Sequence, residues 1–197
     1  MRTAKPYIII VAGIPASGKS VYGQHIAKKL SVPLVEKNPI REILYDVLHN
    51  DTIASEDSPL YGRASFTVTF HIAECLMKAG TSFVLEGNFS PAAAKVLSPM
   101  IEAYGYRPLT LLFDADMEVL HRRFCEREET DEPHLGLIMK NGAFSDLDYF
   151  ERALGGARDF SIGEKILVDT SDFSTVSYDD IDRAVINFIG GGHADES

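Results

Sequence analysis

The segment Gly13-Ile14-Pro15-Ala16-Ser17-Gly18-Lys19-Ser20 has the spacing G-x-x-x-x-G-K-[S/T]. Its residue types make joint sense if the backbone curls round a polyanion. Glycines at 13 and 18 let the chain approach without a Cβ in the way. A helix beginning near Gly18 turns the positive end of its dipole toward the same point. Lys19 brings a charge that reaches the outer phosphates of a nucleoside triphosphate, and the Ser20 hydroxyl is a hard oxygen donor suited to Mg²⁺. The residues expected against the phosphates are Gly13, Ala16, Ser17, Gly18, Lys19, Ser20 and Val21. The expected ligands are Mg²⁺ and ATP, with the preference for ATP over GTP left open.

Other residues have chemistry but weaker patterns. Glu86 ends the apolar stretch Ser82-Phe83-Val84-Leu85, at the strand edge where parallel sheets bind ligands. It can hold Mg²⁺ through water or accept from a phosphoryl acceptor. Glu36 ends a shorter strand, and Asn38-Pro39 follows it, which also reads as a helix cap with proline in the first turn. Arg123 and Arg127 are four residues apart and share a helix face, with surface pairing to Glu126, Glu128 and Glu129 as the structural alternative. The six histidines do not cluster, and no Cys/His spacing suggests zinc.

These residues need a scaffold. Tyr7 to Ala12 is a continuous β-branched run, the pattern of a strand buried on both faces. Helical periodicity follows over 19–30, 39–49, 64–78, 91–104, 117–128, 147–157 and 178–189. Strands are expected at 34–36, 82–86, 108–113 and 165–168. Five strands alternating with helices imply an α/β three-layer sandwich with a central parallel sheet of about five strands. Residues 50–62 read as a loop, 128–145 as a mobile polar segment and 190–197 as a frayed tail. At 197 residues, and without a dividing linker, this is one domain.

Composition narrows the function. The chain is 45% hydrophobic and 24% charged, as globular proteins are, with no apolar run long enough to span a bilayer. A net charge of −10 repels phosphate backbones and disfavours a dedicated nucleic-acid binder. The N-terminal Lys5 and the run after it are too short and too closely tied to the glycine motif to make a signal peptide, so the expected address is cytoplasmic. Cys75 and Cys125 are then expected as two buried reduced thiols rather than one disulfide. A GTPase would carry N-K-x-D, which is missing, and little chain remains after Val168 for the helical lid domain of a hexameric ATPase.

Four segments together resemble one family. They are the glycine motif with Pro15 inside it, Leu34-Val35-Glu36-Lys37-Asn38-Pro39-Ile40-Arg41, Phe83-Val84-Leu85-Glu86-Gly87-Asn88-Phe89, and Asp116 to Arg127 with Leu120-x-x-Arg123-x-x-x-Arg127. From Tyr7 to about Thr170 the chain resembles the small P-loop kinases grouped with AAA-family ATP-binding proteins. These are relatives of chloramphenicol phosphotransferase, gluconate kinase, polynucleotide kinase and zeta toxin. The resemblance implies a P-loop NTPase fold and an ATP- and Mg²⁺-dependent transfer of the γ-phosphoryl group to a hydroxyl of a small molecule. It implies an acceptor region at about 38–70, with Arg41, Arg63 and Asn88 against the acceptor. It further implies a lid at about 128–145, with Arg123 and Arg127 neutralising the transferred charge, and a turn at Asp169-Thr170 near the adenine.

One departure matters. The family pattern resembles D-x-I-R, with the Asp taking the acceptor proton, and this chain has Asn38 there. Glu36 taking over, Asn38 orienting the acceptor without a base, and a weak or inactive kinase all remain open. The catalytic set is Lys19, Glu36, Asn38, Glu86, Arg123 and Arg127, with Ser20 and Glu86 toward the metal. A polynucleotide 5′-hydroxyl kinase and a nucleotide sensor or weak ATPase are the alternative functions.

Overall fold

A computed structural model of the chain describes residues 5–49, 58–130, 134–137 and 143–191. The strands are β1 (Tyr7–Gly13), β2 (Leu34–Glu36), β3 (Phe83–Gly87), β4 (Arg107–Asp114) and β5 (Glu164–Asp169). The helices are α1 (Lys19–Leu30), α2 (Lys37–Leu48), α3 (Ser58–Lys78), α4 (Pro91–Ala103), α5 (Met117–Thr130), α6 (Leu147–Leu154) and α7 (Tyr178–Gly191). The strands form one sheet in the order β2-β3-β1-β4-β5, every pair parallel.

The β1 run works as a double-sided core. Ile8, Ile10 and Ala12 face one cluster with Ala73 and Met77 of α3 and Leu97 and Ile101 of α4. Ile9 and Val11 face another with Tyr22 and Ile26 of α1 and Val185 of α7. Strand alternation thus splits one apolar run between two helical layers, which fixes the register, since a one-residue slip would exchange the layers. A third cluster of Ile14, Leu120, Phe124 and Phe150 lies beneath the loop after β1. The sheet turns from one edge to the other at β1, so ligand space opens at the strand C-termini around it. Among the described residues no helix is long and apolar enough to cross a membrane.

Three local expectations change. α3 starts at Ser58, six residues earlier than the periodicity predicts, so Gly62 and Arg63 lie within the helix rather than before it. Pro59 falls in its first turn, where no N–H is needed. α2 begins at Lys37 with Glu36 as its N-cap residue, so Asn38 is inside the first turn and does not cap. Cys75 and Cys125 are both free, but neither is fully buried: Cys75 is exposed, on the solvent side of α3, and Cys125 is half-buried. The segments 50–57 and 192–197, and part of the expected lid (131–133 and 138–142), lie outside the described residues.

α7 is tied to the helix that follows the glycine loop. The buried Asp182 carboxylate accepts from Tyr22 Oη at 2.8 Å and Lys29 Nζ at 2.7 Å, and lies 2.8 Å from His25 Nε2. Burial opposes its charge, but the bonds from Lys29, His25 and Tyr22 together outweigh that and hold its carboxyl below the usual range. Asp182→Asn is expected to cost about 2 kcal/mol of stability at neutral pH, the scale of a charged hydrogen bond lost where Lys29 now faces an amide in place of a carboxylate. A carboxyl depressed in the native state stabilises above its unfolded pKa and loses that contribution as pH falls through the native value. The gap between wild type and variant therefore closes on acidification, as urea midpoints at neutral and acid pH will show.

Candidate active site

The loop between β1 and α1 is held by close packing. A Cβ on Gly13 would sit 2.1 Å from the Phe113 carbonyl oxygen, so only glycine permits this approach of β1 and β4. Ala16 (φ 65°) and Gly18 (φ 84°) are both left-handed. For alanine this conformation costs about 1–2 kcal/mol, and such strain collects where a backbone concavity is shaped for a ligand. The Ser17 side chain is fully buried, and its hydroxyl has no partner among the described residues.

At the mouth of this loop three side chains meet. Lys19 Nζ lies 3.7 Å from Glu86 Oε1, and Ser20 Oγ donates to the same oxygen at 3.1 Å. Lys19 and Glu86 are 5% and 1% exposed. The parallel register sets Glu86 opposite Val11, just before the loop leaves β1. Burial pushes the Glu86 carboxyl up, against the pull of Lys19 and Ser20. Burial pushes Lys19 down, with Glu86 opposing and nearby Arg127 adding to the fall. Both ions are therefore strained toward neutrality. A serine hydroxyl beside a carboxylate is the all-oxygen donor set that suits Mg²⁺, which takes few protein ligands and shares the rest with phosphates and water.

A cavity of about 990 Å³ opens from this point. Its wall includes Ala16, Gly18, Lys19, Ser20 and Val21 on the loop side, and Arg123, Arg127 and Phe173 on the α5 side. Lys37, Asn38, Arg41, Arg63, Phe66 and Asn88 form the far side. Gly13 and Ser17 are not on this wall, and Ser17 is fully buried within the loop. Glu36 is not on the wall either: its carboxylate accepts from Gln24 Nε2 at 3.0 Å. Glu86 meets the cavity through Lys19 and Ser20. Asn38 Oδ1 accepts from Lys37 Nζ at 3.2 Å.

Arg123 has partners that the sequence did not suggest. Its guanidinium donates to the Thr170 carbonyl at 2.7 Å and the Ser171 carbonyl at 3.0 Å, and stacks 3.9 Å over the Phe173 ring. Phe173 in turn packs against Gly18, where an added Cβ would be 2.9 Å from the ring. Arg123 therefore braces the loop after β5 rather than standing free to meet a moving charge. That loop is also anchored to the end of β4, where the Asp114 carbonyl accepts from Thr170 N and Oγ1. Arg127 stays on the cavity wall, 5.3 Å from the Phe124 ring. The expected surface pairing falls instead to Arg122, with Glu126 at 3.9 Å.

Lys37 and Phe173 are wall residues that escaped sequence reasoning. Lys37 reads as an ordinary strand-end lysine, and Phe173 as one aromatic in a polar loop. Position relative to the glycine loop marks them, and only the topology supplies it.

Residues 8–137 match the model of a family described as an AAA domain, AAA_33, a span that runs from β1 through α5. The chain belongs to this family. Its fold is the P-loop α/β fold of small kinases. It is similar to a solved structure named a putative kinase from Chloroflexus aurantiacus j-10-fl, with 23% identity, 93% of this chain and 98% of that one covered, and a TM-score of 0.78. A sugar kinase from Janibacter sp. HTCC2649 shares 12% identity over 94% of this chain and 95% of its own, with a TM-score of 0.57. No curated protein matches the sequence.

Proposed function

We propose that the protein is an ATP-dependent phosphotransferase that moves the γ-phosphoryl group to a hydroxyl of a small molecule. The observation that carries this reading is the Lys19, Ser20 and Glu86 cluster, set between a curled phosphate loop and a cavity with room beyond it. The volume is at the upper end of the roughly 300–1,000 Å³ of small-molecule sites, which suits two ligands side by side.

In this reading the loop backbone from Ala16 to Val21 cradles the phosphates. Lys19 bridges the β- and γ-phosphates, and Arg127 neutralises charge on the γ-phosphoryl oxygens. Ser20, with Glu86 beside it, would hold Mg²⁺, which would supply charge neutralisation at the phosphates. The acceptor oxygen bonds to the γ-phosphorus as the bond to the bridging oxygen breaks, and ADP leaves. The acceptor proton passes to solvent. The transition state is loose, so the nucleophile needs little deprotonation at the start, and Asn38 orients the hydroxyl rather than taking its proton. Positioning and electrostatics then do most of the work.

Arg123 and Phe173 together form the platform on which the purine stacks. Phe173→Ala is expected to raise the KM for ATP about tenfold with a smaller change in kcat, the scale of one base–aromatic stack. Steady-state kinetics at saturating acceptor will read the split.

The reading is tested by incubating the protein with γ-labelled ATP and a panel of hydroxylated metabolites. Label in a small molecule is the expected result. Label only on 5′-hydroxyl oligonucleotides would replace the small acceptor by a polynucleotide. A second reading, a nucleotide sensor or weak ATPase, is favoured by Asn38 and by the displaced Glu36. It predicts ATP binding with no labelled acceptor, and at most slow phosphate release.

A further inference from the structure

The far side of the cavity holds a cation that the phosphates of ATP do not require. Lys37 is the first residue of α2, and its side chain is 3% exposed. Its Nζ donates to the Asn38 amide oxygen and lies 5.1 Å over the Phe66 ring. Among the described residues it has no ion-pair partner within 4 Å. Burial, with Arg41 and Lys19 nearby and only Glu86 opposing, pushes its pKa down to about 8. Arg41 and Arg63 line the same side. Of the described residues on the whole cavity wall, only Glu126 is a carboxylate, in a chain whose net charge is −10. Lys37 is thus a buried positive charge set against the general trend of the molecule, with Arg41 half-buried and Arg63 exposed on the same side.

Asn88 adds a second demand. Its Oδ1 is buried and accepts no hydrogen bond among the described residues, and the residue lines the cavity. A buried lone acceptor is costly until a donor reaches it. A buried ammonium without a counter-ion is costlier. One kind of ligand relieves both: an oxyanion for Lys37 and a hydroxyl for Asn88.

We propose that the phosphoryl acceptor is a small hydroxylated oxyanion, a carboxylate or a phosphate monoester, whose charge is held by Lys37 and which donates to Asn88 from a hydroxyl other than the one that Asn38 orients. The inference rests on the kinase reading above and narrows its substrate class. Lys37 sets specificity: a neutral or cationic acceptor leaves it buried and unpaired, and discrimination by an unpaired buried polar group is strong. Arg41 and Arg63 bring further positive charge to the same side.

The test fills the nucleotide site with magnesium and a non-hydrolysable ATP analogue, then measures uptake of labelled inorganic phosphate by equilibrium dialysis. The wild type is expected to bind one phosphate beside the analogue. Lys37→Met should weaken that binding about 10- to 100-fold, the scale of a charged hydrogen bond, while Lys37→Arg retains most of it. Asn88→Asp, which sets a carboxylate beside the anion, should lower uptake too and serves if Lys37→Met fails to fold. Absent phosphate uptake, or uptake equal in the wild type and the variants, overturns the proposal. With ATP itself, matched sugar acids, sugar phosphates, neutral sugars and amino sugars are offered as acceptors. Label in the acids points to a carboxylate and label in the sugar phosphates to a monoester, and either should show a raised KM in Lys37→Met with a smaller change in kcat. Transfer to neutral or amino sugars alone overturns the oxyanion and leaves the kinase standing. Failure to bind the nucleotide analogue at all overturns the kinase reading, and this inference with it.

Discussion

Lys19→Met removes phosphoryl transfer, lowering kcat/KM by about 10³-fold or more, while the protein stays folded. The size follows from what the side chain does in a water-poor site. Lys19 is 5% exposed and lies beside Glu86, so its charge acts on the phosphates with little screening. One preorganised charge or donor of this kind accounts for about 10²–10³ in rate, and here it also holds the ground-state phosphates. Stability should change little. Burial already depresses the ammonium and raises the carboxyl across from it. Once the lysine is gone Glu86 is protonated more easily and no buried charge is stranded, while the methionine fills the same volume. Transfer assays and thermal unfolding on the same preparation check both halves. Wild-type turnover in Lys19→Met would remove the phosphate loop from the mechanism.

Glu86→Gln is the second large effect, with kcat expected to fall about 10²-fold or more. The substitution keeps shape and hydrogen bonding to Ser20 but removes the charge. It should also weaken the apparent Mg²⁺ affinity about tenfold, as loss of an outer partner of a metal site does. The pH profile gives a separate signature. The carboxyl must be ionised to work, and its native pKa lies above the usual carboxylate range. Activity in the wild type should therefore fall on the acid side at a higher pH than an exposed glutamate would give. In Glu86→Gln that acid limb disappears from the residual activity. A variant with full activity and an unchanged acid limb would leave Glu86 a structural residue only.

The sheet was legible because its signals are local. A strand buried on both faces must be apolar throughout, and Tyr7 to Ala12 says so in the chain itself. The glycine loop was legible for the same reason, since each requirement sits within eight residues. The start of α3 was not, because Pro59 and Gly62 are turn residues by type and become helical only where Tyr61 and Ser65 are buried against the fold. Arg123 and Arg127 share a helix face as their spacing implies, yet different partners meet them there. Arg123 finds carbonyls 47 and 48 residues away, a distance no local pattern encodes. Lys37 was hidden differently. A lysine costs so much to bury that sequence reasoning assigns it to solvent, and here the helix after β2 begins one residue before Asn38 and turns it inward. The apolar positions of α2 show the converse, with Ile43 and Val47 at core spacing yet 62% and 75% exposed.

The central claim is that residues 13–20 seat a nucleoside triphosphate through Lys19. Calorimetric titration of magnesium-ATP into wild type and Lys19→Met tests it without any knowledge of the acceptor. The expected result is one nucleotide per chain, with a Kd between about 1 μM and 1 mM, the range in which enzymes hold their substrates, and a much weaker or absent signal in the variant. No binding by the wild type, or equal binding by both proteins, would contradict it.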